Sequence, residues 1–537
     1  MPTLNWIGKD AVINHHKEVP FRLLKCRADL SVGDPDSGNL LVQGDNLEAL
    51  KALLPYYAGQ VKCIYIDPPY NTGNEGWVYN DNVNSPEMRE WLGKVVGGEA
   101  EDLSRHDKWL SMMYPRLVLL HQMLREDGMI FINLDDNEAA HLKVIMDEIF
   151  KPQNFIASIS WEKRYTRSNN AKLFYSLKDV IVAYRKSDKV SFLREPRNEK
   201  SDSIYSNPDN DPRGVWTSSS YVNPATKSAR PNLVYTIINP NNGKKINHPS
   251  HAWKYEQSQH EIHITENRLW WGKDGNAKYP RLKVFLNESN TGLVPVDIWK
   301  HEDSGTTDEG GNEVKQIFGK AVFDNPKPTK LIRRIIKLTT SPGDIILDSF
   351  AGSGTTGHAI LRENADSESE RKFILIEMDK DISKSITSER LQRVINGYGN
   401  VEGLGGGFRY CELGATLFDP NRQIRAEVKY NDLAGHVYFV ETGQPLPERL
   451  PKSRRLRKSE FPLLGVHNGT AVYLLYNGIL KDKSVNGGNV LTYDVLEGLP
   501  AHDGQKVIYG NGSRISKARL NDLGIVFKQI PYEIREM

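Results

Sequence analysis

Cysteine is scarce: Cys26, Cys63 and Cys411 are the only three in 537 residues, and they lie far apart with no paired spacing. That excludes the disulfide-dense class of small secreted domains and any zinc site built on paired cysteines, and all three are read as buried or incidental thiols. Long apolar runs are lacking too. None approaches the roughly 18 residues that a membrane span needs, so no bilayer contact is expected. The first residues show neither a basic leader nor an apolar core with a small-residue cleavage site, which points to a cytoplasmic protein. Nor does charge of one sign prevail, since 70 Lys and Arg stand against 68 Asp and Glu for a formal net charge of +2. Near-neutrality neither names nor excludes a polyanionic partner, because binding depends on how charge is distributed over the surface.

What is present is a series of short apolar strands, each running into a turn and then a helix, the pattern of an α/β protein with a parallel sheet. The length suits several domains. Residues 1–35 form an N-terminal segment, and residues 36–190 hold the first strand-turn-helix units. Leu40, Leu41 and Val42 lead through Gly44 and Asp45 into a helical pattern. A carboxylate at such a strand end can bind a ligand in the crevice there or cap the following helix, and Asp45 fits both. The next strand, residues 61–66, stops at Asp67, Pro68, Pro69 and Tyr70. Two successive prolines fix φ and supply no N–H, so the carbonyls at the strand's end are held rigid. The place suits an amine. The Asp67 carboxylate and the Pro68 carbonyl can accept both hydrogens of an exocyclic amino group, drawing its lone pair out of conjugation so that the nitrogen can attack a sulfonium methyl. Tyr70 offers a flat face to a base turned out of a helix. A third unit has helical spacing from Lys108 to Arg125, a strand over residues 129–134, and then Asp135, which can line the cofactor or base pocket, although capping of the next helix by Asp136 or Asn137 also explains the acidic run. Strand candidates at 155–161 and 179–184 can pair antiparallel at the sheet's edge.

The second half of the ligand site lies in residues 321–400. Lys327 and Pro328 precede a helical pattern, and the strand 345–347 runs into Asp348, Phe350, Gly352, Gly354 and Gly357 before another helix. The glycines let the backbone turn tightly and approach a ligand. No lysine follows Gly354, which excludes a phosphate-binding P-loop, but the glycine spacing alone also satisfies the dinucleotide fingerprint. Asp348 favours a neutral or cationic tail over a pyrophosphate. The strand 372–376 ends at Glu377, where an acid can accept both ribose hydroxyls of a nucleoside. With the amine-binding motif, this set fits S-adenosylmethionine better than a nicotinamide dinucleotide.

With Asp67, Pro68, Pro69 and Tyr70 before, and Phe350, Ala351, Gly352, Ser353 and Gly354 after, a long intervening segment, residues 36–400 resemble the beta class of amino-methyltransferases. Within it they are most similar to the modification subunit of Type III restriction-modification systems. The resemblance implies a circularly permuted Rossmann-like methyltransferase fold, in which the strands carrying Asp45 and Asp67 precede those carrying Gly352 and Glu377. It implies that Phe350, Gly352 and Gly354 contact the cofactor, Glu377 its ribose and Asp45 its adenine. Lys327 matches the family's Lys-Pro element. Aspartate at position 67 is associated in the family with adenine, so the implied activity is adenine-specific methylation of duplex DNA. A homodimer and a helicase-nuclease restriction subunit are the implied partners.

Residues 191–320 read as an inserted target recognition domain. Trp216, Trp253, Trp270, Trp271 and Trp299 lie there among Lys254, Arg268, Lys273, Lys278 and Arg281, a mixture that can stack on bases and contact phosphates or form a small core of its own. Residues 305–312 read as a flexible return loop. The glycine run 403–407 is taken as a boundary, and residues 411–537 as a C-terminal accessory or subunit-interaction domain with a basic cluster at Arg449, Lys452, Arg454, Arg455, Arg457 and Lys458. No clustered metal-ligand spacing is visible, and methyl transfer from a sulfonium needs no Lewis acid, so no metal is expected. A DNA-binding subunit without catalysis is the competing reading from another class.

Overall fold

The computed structural model describes residues 3–34, 37–71, 105–167, 173–197, 199–288, 292–447, 462–476 and 489–531. Ten strands share one sheet: β1 (Arg22–Gly33), β2 (Leu40–Gln43), β3 (Val61–Ile66), β4 (Leu124–Leu134), β5 (Phe155–Glu162), β6 (Lys178–Arg185), β7 (Ile298–Trp299), β8 (Ile345–Asp348), β9 (Lys372–Glu377) and β10 (Gly407–Thr416). Their spatial order is β1-β10-β2-β9-β8-β3-β4-β6-β5-β7. From β10 to β4 neighbours are parallel. β6 pairs antiparallel with both β4 and β5, and β1 antiparallel with β10. The central strands are uninterruptedly apolar because both their faces are covered: Leu40, Leu41 and Val42, then Ile64, Tyr65 and Ile66, then the run from Phe373 to Ile376 are all buried.

The larger helices of this body are α1 (Asn46–Tyr57), α2 (Arg105–Met123), α3 (Ala139–Phe150), α4 (Thr307–Phe318), α5 (Thr329–Thr339), α6 (Thr355–Ser367), α7 (Glu389–Asn396) and α8 (Tyr430–Thr442). Each presents an apolar stripe. In α5 the buried residues Leu331, Ile332, Ile335 and Ile336 recur at helical spacing, and each contributes about 1.5–3 kcal/mol by leaving water. The chain passes from β8 through α6 to β9 on one side and from β3 through α2 to β4 on the other. The order therefore reverses between β8 and β3, and a crevice opens outside their carboxyl ends. β8 stands in the middle of the sheet although it is eighth in the chain. This is the permuted Rossmann-like arrangement.

Several expectations need correction. Cys26 and Cys411 lie in register across β1 and β10 and form a disulfide with a Cα–Cα distance of 3.8 Å, while Cys63 is a buried free thiol. Linear spacing could not reveal the pair, since 385 residues separate its members. The expected return loop at 305–312 is helical: Thr306 Oγ1 caps α4 by accepting from Glu309 N at 3.1 Å. The glycine run 403–407 is no boundary of the large sheet, for Gly407 begins β10, and the N-terminal segment contributes β1. The basic cluster at 449–458 lies outside the described residues. Among the described residues no helix is long and apolar enough to cross a membrane.

Residues Phe192–Pro295 form a compact unit of their own, and the rest of the described chain forms another. The smaller unit has a three-stranded antiparallel sheet in the order Leu269–Trp270, Arg281–Phe285, Trp216–Ser220. Its core gathers Tyr221, Ile237, Ile246, Trp253, Leu269 and Trp271, so Trp253 and Trp271 are core residues, and Trp270 packs edge-on against buried Trp216. Trp299 belongs to the larger unit, in β7 beside β5. Toward the carboxyl end, four strands (Leu463–His467, Thr470–Leu474, Gln505–Gly510 and Ile525–Gln529) make a separate sheet over a small apolar core.

Candidate active site

β3 ends at Ile66 because the prolines that follow cannot continue a hydrogen-bonded ladder. Asp67 is thereby left at the mouth of the crevice. Its Oδ2 is paired with the Lys327 ammonium, and its Oδ1 accepts from the Tyr70 hydroxyl at 2.9 Å and from Asn133 Nδ2 at 3.3 Å. The same tyrosine hydroxyl lies 3.1 Å from Asp179 Oδ2, and Asp179 is neutralised by Lys163 at 2.6 Å. Asn133 also donates to the hydroxyl of Tyr70. A single phenolic proton is thus shared between two carboxylates. Burial and these carboxylates, Asp179 more than Asp67, hold the Tyr70 hydroxyl far above its ordinary range, so it stays protonated as a donor. Lys327 Nζ lies 5.2 Å from the centre of the Tyr70 ring. Trp109 Nε1 donates to the Pro69 carbonyl at 2.7 Å and fixes the second proline.

Facing this group is the turn after β8. Asp348 is buried; its Oδ1 accepts from Phe350 N at 3.0 Å and its Oδ2 from Thr356 Oγ1 at 2.5 Å. Burial, with a smaller contribution from Asp67, pushes its carboxyl up to about 7. Gly352 N donates to Glu377 Oε2 at 2.8 Å, and Asp379 N donates to Glu377 Oε1 at 2.9 Å. Gly354 has φ of +77°, and a Cβ there would come within 3.2 Å of Thr387, so glycine is required where the loop meets the helical turn 383–388. Asp67, Lys327, Asp348, Phe350 and Gly352 line one cleft, together with Ser353.

The fold therefore gathers five of the expected site residues around one space. Pro68, Pro69 and Tyr70 back its Asp67 side, and Gly354 and Glu377 stand behind the glycine turn. Asp45 does not line the cleft: its Oδ1 caps α1 through Leu47 N and Glu48 N, and its Oδ2 accepts from Arg116 at 2.9 Å. Asp135 accepts from the backbone and side chain of Asn137. These bonds make an Asx turn ahead of α3, whose N-cap, Glu138, has no side-chain cap bond.

Sequence reasoning missed a second tier of residues. Asn133 and Asp179 sit at the ends of β4 and β6, and only the sheet order brings them to Tyr70. Arg390, wholly buried in α7, donates to Ser353 Oγ at 3.0 Å, Thr355 Oγ1 at 2.8 Å and Glu313 Oε2 at 3.2 Å. Glu313 in turn accepts from Thr329 N and Oγ1, two residues after Lys327. One ion pair, between buried Arg390 and half-buried Glu313, thus ties the glycine turn to the strap that carries Lys327. A cluster of His106, Glu138 and His141, whose ligand atoms all lie within 4.8 Å of one another, was also hidden by its spread along the sequence.

The DNA methylase family N6_N4_Mtase matches residues 61–388. The Mod subunit of the Type III restriction-modification enzyme StyLTI from Salmonella typhimurium is 32% identical over 403 residues, 72% of this chain and 60% of that protein. The EcoP15I Mod subunit from Escherichia coli is 30% identical over 489 residues, 81% of this chain and 70% of that one. The chain thus spans less than two thirds of the first relative and somewhat more of the second. Among solved structures, a putative DNA modification methylase from Thermus thermophilus, in complex with S-adenosyl-L-methionine, covers 69% of this chain and 99% of its own, at 14% identity and a TM-score of 0.32.

Proposed function

The chain belongs to the N6_N4 DNA methylase family, among the modification subunits of Type III restriction-modification enzymes, and from that premise we propose that it methylates the N6 amino group of adenine in duplex DNA. The methyl donor of the family is S-adenosylmethionine, which supplies an electrophilic methyl on a cationic sulfur. The observation that carries the reading is the placing of Asp67 across one cleft from Asp348, Phe350 and Gly352.

The residues fit such a cofactor. Asp348 is an acid in a place that burial makes hostile to an anion, so a cationic ligand restores its charge. Glu377 accepts from Gly352 N and Asp379 N and so stands beside the glycine turn, the place that the family resemblance gives to the ribose. Phe350 supplies an apolar wall, and Gly352 and Gly354 allow close approach. The contact of Asp45 with the cofactor's adenine rests on family resemblance alone.

Asp67 is the acceptor for the target amine. An amino group seated there donates one hydrogen to its carboxylate and the other to the Pro68 carbonyl, which leaves the nitrogen lone pair directed into the cleft. Lys327 and the Tyr70 hydroxyl hold the Asp67 carboxylate in place before the base arrives. The base must leave its stack to reach this place, with the Tyr70 ring beside it. Residues 192–295 serve as the target recognition unit, a homodimer is the acting form, and a helicase-nuclease restriction subunit is the partner. The test is transfer of labelled methyl from S-adenosylmethionine to unmethylated duplex DNA, followed by nucleoside analysis, with Asp67→Ala beside the parent chain. Labelled N6-methyl-2′-deoxyadenosine that vanishes in the variant supports the reading; label on cytosine overturns the choice of base, and DNA binding without transfer overturns the activity.

A further inference from the structure

We propose that His106, Glu138 and His141 form a divalent-cation site, with zinc as the ion that its chemistry suits best. The proposal does not depend on the methylation reading. Glu138 precedes α3, His141 stands three residues on in its first turn, and His106 belongs to the first turn of α2. Glu138 Oε1 lies 2.6 Å from His106 Nδ1, and Oε2 lies 2.9 Å from His141 Nδ1. The Glu138 side chain is completely buried, yet its ion-pair partners among the described residues are the two imidazoles and neither Lys nor Arg. A wholly buried carboxylate with an imidazole nitrogen beside each of its oxygens is a donor set that a divalent cation can occupy, its charge offsetting the burial of the acid.

The donor set is two imidazoles and one carboxylate, which suits zinc with a fourth position left for solvent. Both imidazoles are about one third exposed, so an ion can enter from the surface. A tetrahedral site with bonds of about 2.05 Å has edges of about 3.3 Å, and the ligand atoms, all within 4.8 Å of one another, reach that spacing by turning the two imidazoles about the fixed carboxylate. An outer partner is already in place: Asn71 Nδ2 donates to Glu138 Oε1 and lies 3.1 Å from the Arg105 carbonyl. Asn71 directly follows Tyr70 and holds φ of +57°. The ion would therefore brace the backbone just beyond the Asp67 motif and join it to the starts of α2 and α3, a bracing role and not a chemical step.

The test uses the full chain freed of metal by a chelator and titrated with Zn²⁺ in a calorimeter, and with Co²⁺ for its visible absorption. The expected result is one equivalent bound, a four-coordinate Co²⁺ spectrum displaced by Zn²⁺, and a raised Tm. His106→Ala and His141→Ala, which remove partly exposed side chains and leave buried Glu138 in place, should each weaken binding by at least about tenfold. The double variant should lose both the spectrum and the shift in Tm. The proposal fails if the double variant, folded by circular dichroism, binds Zn²⁺ as the parent does, if the parent binds none at micromolar Zn²⁺, or if the Co²⁺ spectrum carries a thiolate band that locates the ion at cysteine.

Discussion

Asp67 acts through its company. Lys327, Tyr70 and Asn133 all converge on one carboxylate, so removing that carboxylate deletes an acceptor and releases three donors at once. Asp67→Ala should reduce methyl transfer by about 10²–10³ or more while cofactor binding persists, since Asp348 and Glu377 are untouched; single-turnover transfer beside equilibrium cofactor binding checks this. Asp348 predicts a pH dependence of its own. Burial pushes its carboxyl up to about 7 in the free protein, and a cationic ligand prefers the ionised form. Cofactor affinity should therefore rise with pH toward 7 and level off above it, by up to about tenfold per pH unit below that point, and Asp348→Asn should flatten the profile. The sign for folding is opposite. A carboxyl raised above its unfolded value favours the folded state at low pH, and that contribution is lost as pH climbs through about 7. The acids at 67, 348 and 377 were legible in the sequence because each ends a recognisable apolar strand. Asn133 and Asp179 were not, because their relevance comes from sheet order, which no local pattern encodes.

Among elements, the link between α4 and α7 is the most exposed to test. Arg390 is wholly buried and holds Ser353 and Thr355 on one side and Glu313 on the other. Arg390→Met leaves a carboxylate, already pushed upward by burial, without its cation. Denaturant unfolding should register a loss of about 2 kcal/mol or more, and cofactor affinity should fall with it, whereas Thr306→Ala, which only removes the cap of α4, should cost about 1 kcal/mol and leave affinity unchanged. Helix α4 itself escaped the sequence reading. Its two internal glycines and polar surface looked like a loop, but a Gly310 Cβ would come within 2.1 Å of the Pro326 carbonyl, so that glycine serves close packing and not flexibility. Strands were legible where apolar runs ended at prolines or glycines. The disulfide partners were not, because pairing across β1 and β10 is a property of register.

For the whole molecule, the insert offers a direct trial. Glu195 and Leu293 exchange backbone hydrogen bonds of 2.8 and 2.9 Å, so the two ends of the unit Phe192–Pro295 are tied side by side. Replacing residues 192–295 by a short glycine-rich linker should leave cofactor binding within about twofold, because every residue of the cleft lies outside the insert, and should abolish sequence-selective DNA binding. A loss of folding on excision would instead make the insert part of one cooperative body. Its tryptophans were ambiguous in the sequence, and burial decides for most of them: Trp216, Trp253 and Trp271 hold the unit together. The order of the large sheet also sets a timetable for synthesis. β2 leaves the ribosome early, but both its neighbours, β9 and β10, begin only at Lys372 and Gly407, and β3 waits for β8. At about 5–20 residues per second, the first strands remain open-edged for tens of seconds, in need of shielding from one another and from other chains. The cofactor cleft cannot exist before Phe350, Gly352 and Thr356 are translated, so a chain that ends ahead of them should bind no cofactor.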